Sequence, residues 1–201
     1  MGNVIIDIEP ARTIQAFADL AGVSVEYVQQ KIRDTNLFYL HESGQIDEHE
    51  LRAIFRRELN GDWSDNQLDT CWNSLLFPLP IERLHLLENL RTHYRIYLLS
   101  NTNAIHLREI ERQAQVHLGK PYASLFDKLF MSYQMGKMKP DSAIYQEMLD
   151  GAGIQACESL FIDDVHANIK AANELGIQTI HHSPQTNTIL DYFSGNQLLA
   201  K

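Results

Sequence analysis

Cysteine is nearly absent: Cys71 and Cys157 are the only two, and they lie far apart. Two isolated thiols form neither a disulfide framework nor a zinc-ligand pattern, so the expected compartment is the reducing cytoplasm. No apolar run approaches the roughly 18 residues of a membrane span. The N-terminus lacks the basic and apolar regions of a signal peptide. Met1-Gly2 opens like a myristoylation signal, but Ile6 stands where Ser or Thr is needed. Membrane partners are therefore not expected. Ten glycines and six prolines are too few for a collagenous or low-complexity chain. Positive charge is also short, with 17 Lys and Arg against 26 Asp and Glu, a net charge of −9. Such a chain is a poor general binder of nucleic acid or anionic membrane, because phosphate contacts need a basic face. An anionic ligand would need a local site or a metal ion. What remains is the composition of a globular protein, 44% apolar and 21% charged over 201 residues. That is enough for one domain, or one domain with a small insertion.

The pattern changes near residue 80. Residues 10–76 read as helices without a convincing strand. Ile14, Phe17, Ala18 and Ala21 keep helical spacing, and Asp47-Glu48-His49-Glu50 reads as a capping box opening the next helix. A further helix is expected over 65–75, stopped by Pro78-Leu79-Pro80. Beyond it, strands and helices alternate. The short apolar runs at 95–99, 129–131, 160–162 and 177–180 suit buried parallel strands. Helices are expected at 81–90, 102–117, 140–151, 168–175 and 184–193. Alternation of this kind gives a Rossmann-like α/β fold, a parallel sheet with helices on both faces. Functional residues in such sheets sit just past the carboxyl ends of the strands.

Three polar clusters fall at those ends. Ser100-Asn101-Thr102-Asn103 follows the first apolar run. It can cap a helix, the simpler reading alone, or cradle a phosphate oxygen with Ser100 and backbone N–H groups. Gly136-Lys137-Met138-Lys139-Pro140 places Lys139 at a helix start, as a solvated loop lysine or a neutraliser of phosphate. Asp163 and Asp164 follow the third run directly, with Asn168 beyond. Paired carboxylates there are costly without a cation, and Mg²⁺ takes one or two such oxygens. The competing reading is a pair of exposed turn aspartates. His181-His182 and His166 read as surface histidines, and Trp63 and Trp72 as packing residues.

Serine-asparagine, then Lys-Pro, then Asp-Asp-x-x-x-Asn, in that order, resembles the haloacid dehalogenase-like hydrolase superfamily. Residues 97–103 (YLLSNTN), 137–145 (KMKPDSAIY) and 161–172 (FIDDVHANIKAA) look like its second, third and fourth motifs. The match is closest to phosphatases with a helical cap, notably the sugar-phosphate branch of the bacterial α-D-glucose-1-phosphate phosphatase type. The resemblance implies a core from residues 1–9 and 78–201 with a helical cap at 10–77. It implies Mg²⁺-dependent hydrolysis of a small phosphorylated metabolite through a phosphoaspartyl intermediate. By match, Ser100 and the Asn101 backbone hold the phosphoryl oxygens, and Lys139 balances charge. Asp164 is the principal metal ligand, with Asp163 its neighbour or second ligand. The chain would act as a monomer or homodimer.

The same resemblance places the nucleophile outside the chain. Gly2-Asn3-Val4 matches the turn after the first motif, so the attacking Asp and its strand would precede Met1. N-terminal truncation is the expectation. The other reading makes residues 3–8 the first strand, with Asp7 and Glu9 imitating the nucleophile and its acid/base partner. A catalytically inactive relative that binds the ligand is the alternative function. A receiver-type signalling domain would place its acidic pair near the first strand, and dehalogenation needs no metal to explain Asp163 and Asp164.

Overall fold

The computed structural model describes residues 1–199. Five helices occupy residues 10–73: α1 (Pro10–Ala21), α2 (Val25–Thr35), α3 (Leu37–Glu42), α4 (Glu48–Leu59) and α5 (Asp65–Asn73). Their starts follow from local chemistry. Asp47 and Glu50 form a reciprocal capping box at α4, and Ser64 with Gln67 forms a second at α5. Each box satisfies two backbone N–H groups that would otherwise lack partners. The apolar faces converge on Phe17, Val28, Leu51, Phe55, Leu68 and Trp72, with Ile105 reaching in from the α/β part. Trp72 is the hub, packed against Phe38, Phe55, His41 and His106.

After α6 (Ile81–Leu90) the chain alternates as expected: β1 (Tyr97–Ser100), α7 (Ala104–Leu118), β2 (Lys128–Met131), the single turn α8 (Ser132–Met135), α9 (Ser142–Ala152), β3 (Leu160–Asp163), α10 (His166–Glu174) and β4 (Gln178–His181). The helix expected at 184–193 is absent. Thr188 and Asp191 instead cap a short 3₁₀ turn, Ile189–Tyr192, which leads into the antiparallel pair β5 (Phe193–Ser194) and β6 (Gln197–Leu198).

The expected single sheet is divided. β1 pairs with β2 in parallel, with Ser100 opposite Met131. β3 pairs with β4 in parallel, with Asp163 opposite His181. Among the described residues no ladder joins β1 to β3. Between them lies a cavity of about 400 Å³ lined by Leu98 and Leu99 of β1, Phe161 and Ile162 of β3, and the side chains of Met1, Val4 and Ile5. Among the described residues no strand lies between the β1 and β3 edges that flank it.

Residues 3–8 do not fill that gap. Val4, Ile5 and Ile6 each direct their N–H toward the Met1 carbonyl, closing a turn, and only isolated bridges join Gly2 to Ile6 and Ile8 to Leu76. All three side chains are buried, packed with Leu84, Leu98 and Met131. The run is apolar because it plugs the core. Among the described residues, no helix is long and apolar enough to cross a membrane.

Candidate active site

The carboxyl ends of β1 and β3 carry the site. Lys139 is buried, and its Nζ donates to Asp163 Oδ2 at 2.6 Å and to the Leu99 carbonyl at 3.2 Å. One ammonium thus ties both strand pairs together. The same Nζ lies 5.3 Å from the Phe161 ring centre. Lys139 is therefore a buried, paired cation and not a solvated loop lysine. Lys137 is the solvated one, paired with Glu147 on the surface.

Asp163 is saturated with donors. Its Oδ1 accepts from the Val165 N–H at 2.9 Å and from Asn168 Nδ2 at 2.8 Å, while Oδ2 takes Lys139. Burial pushes its pKa up, but the Lys139 charge and these hydrogen bonds outweigh burial and hold it below the usual carboxylate range. Asp164 differs. Its Oδ2 accepts one hydrogen bond, from Asn3 Nδ2 at 2.9 Å, and it is only half-buried. No other hydrogen bond reaches its carboxylate among the described residues. Hard carboxylate oxygens with free lone pairs suit Mg²⁺, which completes its octahedron with water. No group of three or more His, Cys, Asp or Glu side chains gathers for a metal among the described residues. A magnesium site needs no such group, so Asp164 fits that ion and Asp163 is largely committed to its protein donors.

The β1 cluster divides its duties. Asn103 is the helix cap, its Oδ1 accepting from the His106 N–H at 3.0 Å. Asn101 is a clamp: its Nδ2 donates to the Lys139 carbonyl and its Oδ1 accepts the Lys139 N–H, both at 2.9 Å. Ser100 is buried, and its hydroxyl makes only a long 3.3 Å contact with the adjacent Asn101 carbonyl. That hydroxyl is available to a ligand oxygen. The cap and phosphate readings of this cluster thus fall on different residues.

Met1 lies at the head of the cavity. Burial, reinforced by Lys139, pushes its amine down to about 5 against the opposing pull of Asp163 and Asp164. Asp7 lies elsewhere, held by both Arg83 terminal nitrogens at 2.7 and 3.2 Å. The Asp7 carboxylate is thus engaged by Arg83, whereas Lys139 is engaged by Asp163.

The sequence reading assigned no site role to several neighbours. Asn3 has φ +57°, donates to Asp164 and accepts the Ile8 N–H at 3.1 Å, so one amide fixes both the turn and the carboxylate. Ser132 is fully buried at the end of β2, accepting the Thr102 N–H at 3.0 Å and donating to the Glu42 carbonyl at 2.5 Å. His182 is buried against Tyr192 at 3.0 Å, contrary to the surface reading, whereas His181 and His166 are exposed.

Comparison with known proteins follows the same lines. A family model for haloacid dehalogenase-like hydrolases matches residues 86–182. The D-ribitol-5-phosphate phosphatase of Bacteroides thetaiotaomicron is 32% identical over 178 residues, spanning 89% of this chain and 86% of that protein. A HAD family enzyme from the same organism, solved with magnesium and inorganic phosphate, is 34% identical, with a TM-score of 0.86 over 93% of each chain. A HAD-like family hydrolase of Porphyromonas gingivalis is 32% identical, with a TM-score of 0.80 over 89% of this chain and 86% of that one.

Proposed function

Because the chain belongs to the haloacid dehalogenase-like hydrolases, we propose that it is a Mg²⁺-dependent phosphatase of a small phosphorylated metabolite, in the class of sugar and polyol phosphates. The observation that carries this reading is the buried Lys139–Asp163 pair at the ends of two strand pairs, together with a Ser100 hydroxyl held only by a long 3.3 Å contact and a half-buried Asp164. The match to a D-ribitol-5-phosphate phosphatase and to an enzyme solved with magnesium and phosphate supports it.

In this reading the Ser100 hydroxyl and the Asn101 N–H hold phosphoryl oxygens. The Asn101 side chain keeps the Lys139 backbone in place, and Lys139 offsets charge on the transferring group. Asp163 holds the ammonium by its short hydrogen bond. Asp164 would hold Mg²⁺, which supplies charge neutralisation at the phosphoryl group. Phosphoryl transfer asks for this combination of positioning and positive charge, with little other chemistry from the protein.

The nucleophilic aspartate is assigned to the head of the cavity between β1 and β3, on a strand running into Met1. The apolar lining, the unpaired strand edges, and Met1 beside Lys139, Asp163 and Asp164 support that position. An aspartate there divides the reaction into two easier steps. The test compares Mg²⁺-dependent turnover of p-nitrophenyl phosphate and of a polyol phosphate by two chains. One is the 201-residue chain, and the other is extended upstream by an apolar strand ending in Asp. The extended chain is expected to turn over both and to lose activity with EDTA, while the shorter one shows little. Equal activity of the shorter chain, abolished in Asp7→Asn, would overturn the assignment.

A further inference from the structure

Leaving-group departure needs a proton, and Gly2, two positions beyond the assigned nucleophile, has no side chain to give one. Glu42, at the end of α3, is a carboxyl on which the Lys139 charge of the site acts. Its backbone is fixed to the catalytic strands: Ser132 Oγ donates to its carbonyl, and the same Oγ accepts the Thr102 N–H. Gly44, two residues on, lies against the Tyr133 backbone so closely that a Cβ there would sit 2.1 Å from its carbonyl oxygen. The segment therefore packs directly on the core at this point. The Glu42 carboxyl has no hydrogen bond or ion pair among the described residues, although protein surrounds it and it keeps partial solvent access. The charged group acting on it is Lys139.

We propose that Glu42 is the acid that protonates the leaving alcohol, delivered to the α/β site by the helical segment. The inference rests on the phosphatase reading above. In the first step the carboxylate nucleophile forms its bond to phosphorus and the bond from phosphorus to the ester oxygen breaks. That oxygen takes the Glu42 proton and leaves as the alcohol. In the second step water attacks phosphorus, gives its proton to the Glu42 carboxylate, and the acyl phosphate releases phosphate and the free aspartate. Protons balance over the cycle. Placement fits the role in a second respect: burial raises the Glu42 pKa to about 7, outweighing the downward pull of Lys139, so the acid form is populated at neutral pH.

The test exploits leaving-group chemistry. An alkyl phosphate needs protonation of its alkoxide, whereas p-nitrophenolate leaves with little help. First-turnover release is measured for both esters in the extended chain and in its Glu42→Gln variant. The alkyl ester is expected to slow by about 100-fold or more, in the range of general acid catalysis, and the p-nitrophenyl ester by less than about tenfold. Equal slowing of both esters would overturn the proposal, leaving Glu42 a structural residue. Failure of the parent to hydrolyse either ester would instead overturn the phosphatase reading, and this role with it. A second measurement needs no turnover: carboxyl NMR titration of the 201-residue chain. One signal is expected to titrate near 7 and to vanish in Glu42→Gln. Titration of Glu42 in the ordinary range of 4 to 5 would also overturn the proposal.

Discussion

Lys139 and Asp163 illustrate what a single buried pair commits a molecule to. Both side chains are about 5% exposed, and each holds the charge of the other. Removing one partner leaves an uncompensated buried charge, which typically costs about 3–5 kcal/mol. Lys139→Met is therefore expected to lower stability by about that amount in urea denaturation. Adding Asp163→Asn should return part of the loss, because the amide keeps a contact with the Val165 N–H and leaves no bare charge. Losses that simply add would show that the two residues are not coupled. Both residues were visible as candidates in the sequence, Asp163 directly after an apolar run and Lys139 before the proline that opens a helix. The sequence carried no notice that Asn101 acts through its side chain on the Lys139 backbone, a contact spanning 38 positions.

Among the elements, β1 and β3 stand out because residues of both line the cavity and neither has a second partner strand among the described residues. Unpaired strand edges are ready to accept another strand, and the apolar cavity between them suits one buried on both faces. If the assigned strand enters there, residues 97–100 and 160–163 gain hydrogen-bond partners. Hydrogen exchange is expected to slow in both segments of the upstream-extended chain relative to the 201-residue chain. Unchanged exchange in either segment would count against a strand between them. The elements themselves were readable in advance where patterns were strong: the α4 capping box, the apolar run of β1 and the strand-helix alternation after residue 80. The helix expected at 184–193 failed because Thr188 and Asp191 close a local cap over a short turn, and the chain then reverses into β5 and β6.

At the scale of the whole molecule, the junction between helical segment and α/β part buries titratable groups. Burial pushes His41 down to about 4, with Glu48 opposing, and His106 down to about 3, aided by His41. Both bind protons more readily unfolded, so their contribution is present above pH 6.5 and lost as pH falls toward 4. Glu42 acts in the opposite sense: raised to about 7 in the fold, it stabilises below its unfolded pKa near 4.5, and that contribution is lost as pH rises through 7. Between pH 5 and 6.5 its proton partly cancels those of the histidines. Glu42→Gln removes the opposing group and should steepen the loss of stability on acidification by close to one proton near the middle of that window. Urea midpoints measured at several pH values check this, and parallel curves for parent and variant would contradict it.

Local chemistry determined the order of the polar clusters, the strand-helix alternation and the acidic balance that calls for a metal or a buried cation at any phosphate site. Those features depend on neighbours within a few residues, so sequence carries them. The tertiary structure alone decided which groups meet: Asp7 with Arg83 across 76 positions, Asn3 with Asp164 across 161, and the Glu42 backbone with Ser132 across 90. It also decided that the apolar residues 4–6 plug the core instead of crossing it as a strand. The reason is physical. Periodicity says which residues are buried, but only packing fixes which buried face meets which other, and the chemistry lies in those meetings.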